Sequence, residues 1–185
     1  MTPVYLQRAA LHCALGEDLH TAALAMQQGR TAPAGQFQLH EVHEPRSYLY
    51  AAQTGESLTQ RLNRLIGETL GAQPQALDDC LLIVASTSLD IADLETQTRE
   101  HHGFQPGDST SLDLIAKQLR QSWGFAAAFT LNTACTSAAN GLLYAARLLN
   151  TGQYTRSLVL SFETPSAIAM QGFGALGLTS PSGQY

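Results

Sequence analysis

The sequence predicts an α/β domain with a layered, mixed sheet. The first sign is Leu81-Leu82-Ile83-Val84-Ala85, a continuous aliphatic run bounded by polar residues, as in a strand buried on both faces near the centre of a parallel or mixed sheet. The second is a pair of similar runs, Phe125 to Leu131 and Arg156 to Phe162, the latter reading Ser157-Leu158-Val159-Leu160-Ser161 at its centre. The third is that segments of helical periodicity separate these runs, and strands alternating with helices mark α/β architecture.

Taken from the N-terminus, Val4 to Leu15 reads as a strand-like apolar run ended by Gly16. Glu17 to Gln28 follows with Leu19, Ala22, Ala23 and Met26 at helical spacing, and Gly29 closes that helix. From Arg30 to Gln53 the pattern gives way to polar residues with Pro33, Gly35 and Pro45, which reads as a long loop or a short hairpin. Ser57 to Leu70 is a second amphipathic helix carrying Leu58, Leu62, Leu65 and Ile66 on one side, before a break from Gly71 to Pro74. Asp90 to His102 and Ser111 to Trp123 are helical, with a turn from Gly103 to Asp108 between them. Ser137 to Leu149 differs from the rest: only Asn140 and Arg147 strongly interrupt its small and apolar residues. A helix without a wet face has to be buried on several sides, which predicts a place between two layers and a further layer of protein outside this chain.

The chain has 185 residues, of which 44% are hydrophobic and 14% charged. An ordinary domain has about 25% charged residues, so disorder is excluded and a covered surface is expected. Length is consistent with one domain, or one and a half, at about 100 to 200 residues per domain. A net charge of -5 without any basic run argues against nucleic acid as a partner. Cys13, Cys80 and Cys135 are three widely spaced cysteines without a C-x-x-C, which leaves a disulfide framework or a zinc site without support. His40, Glu41 and His43 form an H-E-x-H string one residue short of the zinc-binding H-E-x-x-H, so no metal is expected there. The N-terminus lacks signal-peptide features and no window reaches the roughly 18 apolar residues of a membrane span. A reducing cytoplasm is the expected compartment.

The residues that could carry chemistry are Asn132-Thr133-Ala134-Cys135-Thr136-Ser137, between the Phe125 to Leu131 strand and the apolar helix. At a helix N-terminus, unpaired backbone N–H groups and the helix dipole favour negative charge, which biases a thiol toward thiolate. The same N–H groups suit the oxyanion of a tetrahedral intermediate. Small neighbours would let a flexible thioester chain approach, so Cys135 fits a nucleophile for acyl transfer. The residues alone leave open a plain alternative, that Cys135 is a small buried hydrophobe, as free cysteines often are. Cys13 and Cys80, in or beside strand-like runs, fit that structural role.

Thr133-Ala134-Cys135-Thr136-Ser137-Ala138-Ala139-Asn140-Gly141 resembles the active-site cysteine motif of the β-ketoacyl-acyl-carrier-protein synthases, the condensing enzymes of fatty acid and polyketide assembly. Ser161-Phe162-Glu163 and Gly172-Phe173-Gly174-Ala175-Leu176 are similar to the strand and gating segment that follow the cysteine in this family. Ala14-Leu15-Gly16 and the helix ending in Gln28-Gly29 resemble its N-terminal segment. The resemblance implies a thiolase-like fold, with residues 1–185 as the N-terminal half of a layered αβαβα architecture. It implies that Cys135 takes an acyl group from a phosphopantetheine-bearing acyl carrier protein or coenzyme A thioester, for decarboxylative condensation with malonyl-carrier protein. Phe173 and Thr136 are then substrate-binding residues, Phe173 as a gate or wall of the acyl pocket. No cofactor or metal is implied; the partners are an acyl carrier protein and a second ketosynthase subunit, in a homodimer or heterodimer.

The family's decarboxylation uses two histidines and a lysine from its second half. His12, His20, His40, His43, His101 and His102 stand in none of the matching positions and read as surface or loop residues. The polar ending, Leu178 to Tyr185, resembles a mid-protein loop, so the missing groups are expected from further chain or from a partner subunit. Two departures, Ser86-Thr87-Ser88 where the family often has a glycine-rich turn and Gly124-Phe125-Ala126 where it often has Gly-Pro, point to a divergent branch serving a specialised polyketide or polyene pathway. The alternative function is a half-length, non-catalytic partner of a complete synthase, comparable to chain-length-factor subunits; an intact cysteine counts against it. A cysteine hydrolase would need a histidine base beside Cys135.

Overall fold

The computed structural model describes residues 2–30, 35–37, 46–48, 56–71, 76–88, 91–100, 111–164 and 166–178. In chain order its elements begin with α1 (Leu19–Gln27), β1 (Gly35–Phe37), β2 (Arg46–Tyr48), α2 (Leu58–Leu70) and β3 (Cys80–Ala85). They continue with α3 (Ile91–Glu100), α4 (Leu112–Trp123), β4 (Ala127–Leu131), α5 (Ser137–Leu149), β5 (Arg156–Ser161) and α6 (Ala167–Ala175). The chain divides into two compact units, Met1–Gln7 with Leu58–Thr164, and Arg8–Ser57 with Pro165–Tyr185.

The first unit is built on a parallel sheet in the order β4-β3-β5. β3 is central, and every one of its residues is buried, which is why Cys80 to Ala85 is aliphatic without interruption. Strand alternation divides its side chains between two layers. Leu82 and Val84, with Leu158 and Leu160 of β5, pack on α2 through Leu58, Leu62 and Ile66 and on α4 through Leu112, Ile115, Ala116 and Leu119. Leu81 and Ile83 face the opposite side with Val159, Ala145, Leu148 and Leu149. The result is helix, sheet, helix. Capping fixes where α4 begins and ends: the Leu114 amide donates to Ser111 Oγ at 3.1 Å, and Gly124 adopts the left-handed conformation at φ 77°.

Two expectations are corrected. The described sheet is not mixed: β3, β4 and β5 pair in parallel, and the antiparallel strands β1 and β2 form a separate two-stranded sheet. That pair is the short-hairpin alternative for Arg30 to Gln53. Val4 to Leu15 is not a strand; Tyr5 and Leu6 are largely exposed, and its pairing among the described residues is the Cys13–Gly16 bridge. Its apolar residues lack the period-two stripe that would give a strand one face to bury. Among the described residues α5 is buried along one stripe, Ser137, Gly141 and Ala145, which leaves open the side where a further layer is expected. Leu142, Leu143 and Tyr144 are 56%, 46% and 46% exposed, since among the described residues the helix packs on one sheet. Its approach to that sheet is close, as a Cβ on Gly141 would stand 3.0 Å from Val159 Cγ1.

The second unit holds α1, β1, β2 and α6. Asp18 caps α1, its Oδ1 accepting from the Thr21 amide at 2.8 Å, and Gly29 at φ 61° lets the Arg30 amide return to Ala25 O at 2.9 Å. A Cβ on Gly16 would lie 2.9 Å from the Ala22 amide nitrogen, so the turn before α1 needs glycine. The Gly172 to Leu176 segment, read from its glycines as a gate, falls mostly within α6.

Candidate active site

Because β3, β4 and β5 run parallel, their exit turns share one edge of the sheet. The carboxyl edge of parallel strands is where open α/β sheets place their ligand sites. Cys135 lies on that edge, in the turn from β4 to α5, as a free and exposed thiol. The reading of Cys135 as a buried hydrophobe is therefore set aside.

Polar side chains at positions 132, 133, 136, 137 and 140 hold this turn. Ala134 adopts φ 54°, the one positive value at a non-glycine residue among the described residues. Left-handed backbone costs an alanine roughly 1–2 kcal/mol, so it persists where neighbours enforce it. Asn132 Oδ1 accepts from the Ala134 amide at 3.2 Å. Ser137 Oγ, almost fully buried, donates to Ala134 O at 2.6 Å and accepts from the Thr133 amide at 2.9 Å. On the outer side Thr136 Oγ1 donates to Thr133 O at 2.7 Å. Asn140 Nδ2 donates to Thr133 Oγ1 at 2.9 Å and to Thr136 Oγ1 at 3.2 Å.

The helix start is more occupied than its position in the sequence implies. The Thr136 and Ser137 amides turn back to Thr133 O at 3.4 Å and Ala134 O at 3.0 Å. Neither is free for an incoming oxyanion. Cys135 itself pairs with Thr133 in an isolated parallel bridge within the same turn. Thr136 stands at the N-cap of α5 with its hydroxyl committed to Thr133.

Two further exit turns complete the edge. Glu163, following β5, accepts the Thr87 amide on Oε1 at 2.6 Å and the Ser88 amide on Oε2 at 3.0 Å. The Thr164 amide donates to Ser88 Oγ at 3.1 Å. Sequence reasoning missed both this latch and the clamp around Ala134. For the clamp a signal existed, since Thr133, Thr136, Ser137 and Asn140 follow the i, i+3, i+4, i+7 spacing of one helix face. For the latch, 75 residues separate its ends and no local pattern marks it.

Phe173, the other expected substrate-binding residue, lies on α6 in the second unit and is half exposed. Cys80 is buried in β3, and burial pushes its thiol pKa up. Cys13 is half-buried in a turn closed by its own amide on Gly16 O at 2.9 Å. His12 and His20 belong to the second unit, His20 exposed on α1; His40, Glu41, His43, His101 and His102 fall outside the described residues. Among the described residues no group of three or more histidines, cysteines or acidic side chains is placed to hold a metal ion. No helix among them is long and apolar enough to cross a membrane.

No family model and no curated protein matches the chain. Among solved structures the chain is similar to a β-ketoacyl synthase from Burkholderia phymatum STM815, with a TM-score of 0.59 and 18% sequence identity, over 96% of this chain and 52% of that one. The chain thus spans about half the length of that synthase. At this identity the likeness is one of fold: the α/β arrangement of this chain is similar to the matched part of that structure.

Proposed function

We propose that this chain is the cysteine-bearing, N-terminal half of a thiolase-like condensing unit, a β-ketoacyl-acyl-carrier-protein synthase-like acyltransferase. The observation that carries the reading is the exposed Cys135 thiol on a clamped turn at the carboxyl edge of a parallel sheet. The cysteine motif and the fold likeness to a β-ketoacyl synthase support it.

In the proposed reaction Cys135 sulfur, as thiolate, attacks the carbonyl carbon of an acyl thioester. The new sulfur–carbon bond forms as the bond to the phosphopantetheine sulfur breaks, and the departing thiolate takes up the proton that Cys135 gave away. Carrier protein delivers the acyl chain, and Thr136, next to Cys135, contributes to its binding. Condensation with malonyl-carrier protein then requires electrostatic support for the decarboxylating carbanion, supplied by further chain or by a second ketosynthase subunit. The open apolar face of α5, Leu142, Leu143 and Tyr144, is the surface offered to that second layer. Free thiols at Cys13, Cys80 and Cys135 fit a reducing cytoplasm.

The test is incubation of the chain with an acyl-pantetheine thioester, followed by intact mass. A gain of one acyl group, absent from Cys135→Ala, is the expected result. An unmodified mass would favour the non-catalytic partner reading.

A further inference from the structure

Where β3 ends, its ladder ends too, and the amides of the next residues need new acceptors. In this chain one carboxylate serves two of them, Glu163 accepting from Thr87 at 2.6 Å and Ser88 at 3.0 Å. Ser88 Oγ in turn accepts the Thr164 amide at 3.1 Å, so the β3 and β5 exit turns hold each other. The latch is not a solvated surface contact throughout: Ser86, Ser88 and Thr164 are 0%, 8% and 8% exposed.

The latched turn lies between Glu163 on one side and the end of β4 on the other. Ala85 pairs with Leu131 in one direction and with Ser161 in the other. Directly beyond, the Ser86 amide donates to Leu131 O at 3.4 Å. Leu131 precedes Asn132, whose Oδ1 holds the Ala134 amide next to Cys135. A series of hydrogen bonds joined through short backbone segments therefore runs from the Glu163 carboxylate across the sheet edge to the cysteine turn.

We infer that Glu163 is a positioning residue for Cys135, acting through the Ser86–Ser88 turn and the end of β4. The inference rests on the reading of Cys135 as an acyl acceptor. Glu163 touches no reacting atom in this account. Its two oxygens fix the central exit turn, which fixes where β4 releases the chain into the cysteine turn. Without both acceptors the Thr87 and Ser88 amides seek other partners and the edge relaxes. Displacement of a reacting group by about 1 Å can cost about 100-fold in rate, so a partial relaxation is expected to cost roughly 10-fold.

The experiment compares the unaltered chain with Glu163→Gln and Glu163→Asp. Gln retains one acceptor oxygen and replaces the other with a donor; Asp retains both oxygens on a shorter stem. Amide hydrogen exchange at Thr87 and Ser88 reports the latch. Acylation of Cys135 by an acyl-pantetheine thioester and its alkylation by iodoacetamide report the thiol. The expected result is lost protection and roughly 10-fold slower Cys135 reactions in Glu163→Gln, partial recovery of both in Glu163→Asp, and unchanged alkylation of Cys13. Unchanged Cys135 rates in a folded Glu163→Gln chain that has lost protection would overturn the inference, as would equal impairment in Gln and Asp. Should Glu163→Gln fail to fold, Ser88→Ala removes only the return bond and has to slow both reactions by a smaller factor; no slowing there also overturns it. If the unaltered chain is never acylated, the acyl-acceptor reading fails by itself, and the iodoacetamide rates still decide whether Glu163 positions the thiol.

Discussion

Ala134 concentrates the strain of the candidate site. Its φ of 54° is one that glycine adopts freely and a branched side chain resists. Ala134→Val is expected to destabilise the chain by roughly 1–3 kcal/mol in chemical denaturation, while Ala134→Gly stays within about 1 kcal/mol as relieved strain offsets added chain freedom. The cysteines make a second residue-scale prediction. Cys135 is exposed, whereas Cys80 is buried with its thiol pKa pushed up by burial, so iodoacetamide at neutral pH should label Cys135 in the native chain and Cys80 only after unfolding. Peptide mapping checks this. That Cys135 occupies a strand-to-helix turn was legible in the sequence, since an apolar run stops at Leu131 and a new period starts at Ser137. The left-handed Ala134 was not, because alanine carries no signature of positive φ.

At the scale of elements, β3 and α5 show why some structure is readable and some is not. β3 is flanked by strands and covered by helices on both faces, and six consecutive apolar residues record that burial. α5 is also apolar for most of Ser137 to Leu149, interrupted by Asn140 and Arg147, yet among the described residues only one stripe is covered. Composition states what a helix can bury, and the number of available layers decides what it does bury. The Val4 to Leu15 run failed as a strand for a related reason, having apolar letters without an alternating face. The Gly141 contact yields a prediction about packing. With a Cβ already 3.0 Å from Val159 Cγ1, Gly141→Leu should overpack the helix–sheet contact and cost about 1–3 kcal/mol or more. Leu143→Glu, on the exposed face, should move the denaturation midpoint of the chain by no more than about 0.5 kcal/mol.

At the scale of the whole molecule, the fold class and the order of the elements of the first unit were legible, because alternating strand and helix periods leave few ways to build a layered sheet. The segregation of parallel and antiparallel pairing into two sheets was not, since pairing joins residues far apart in sequence. One such long-range contact makes stability depend on pH. Arg156 donates to Asp79 and Thr155 adds a hydroxyl, and the Asp79 carboxyl is held below the ordinary aspartate value by those bonds, the arginine first. A depressed folded pKa stabilises above the ordinary aspartate range, and that contribution is lost as pH falls through the folded value. Asp79→Asn should therefore be less stable than the unaltered chain at neutral pH, with the gap between them narrowing in strong acid, as read from denaturant midpoints at each pH.

The central claim is that the thiol at the sheet edge accepts acyl groups, and competition between two reagents tests it most directly. The chain is incubated with an acyl-pantetheine thioester, pulsed with iodoacetamide, and digested so that each cysteine is read separately. The account predicts that prior acylation protects Cys135 and leaves Cys13 as reactive as before, with protection reversed by hydroxylamine. Cys135 alkylated at the same rate with and without the thioester would contradict it.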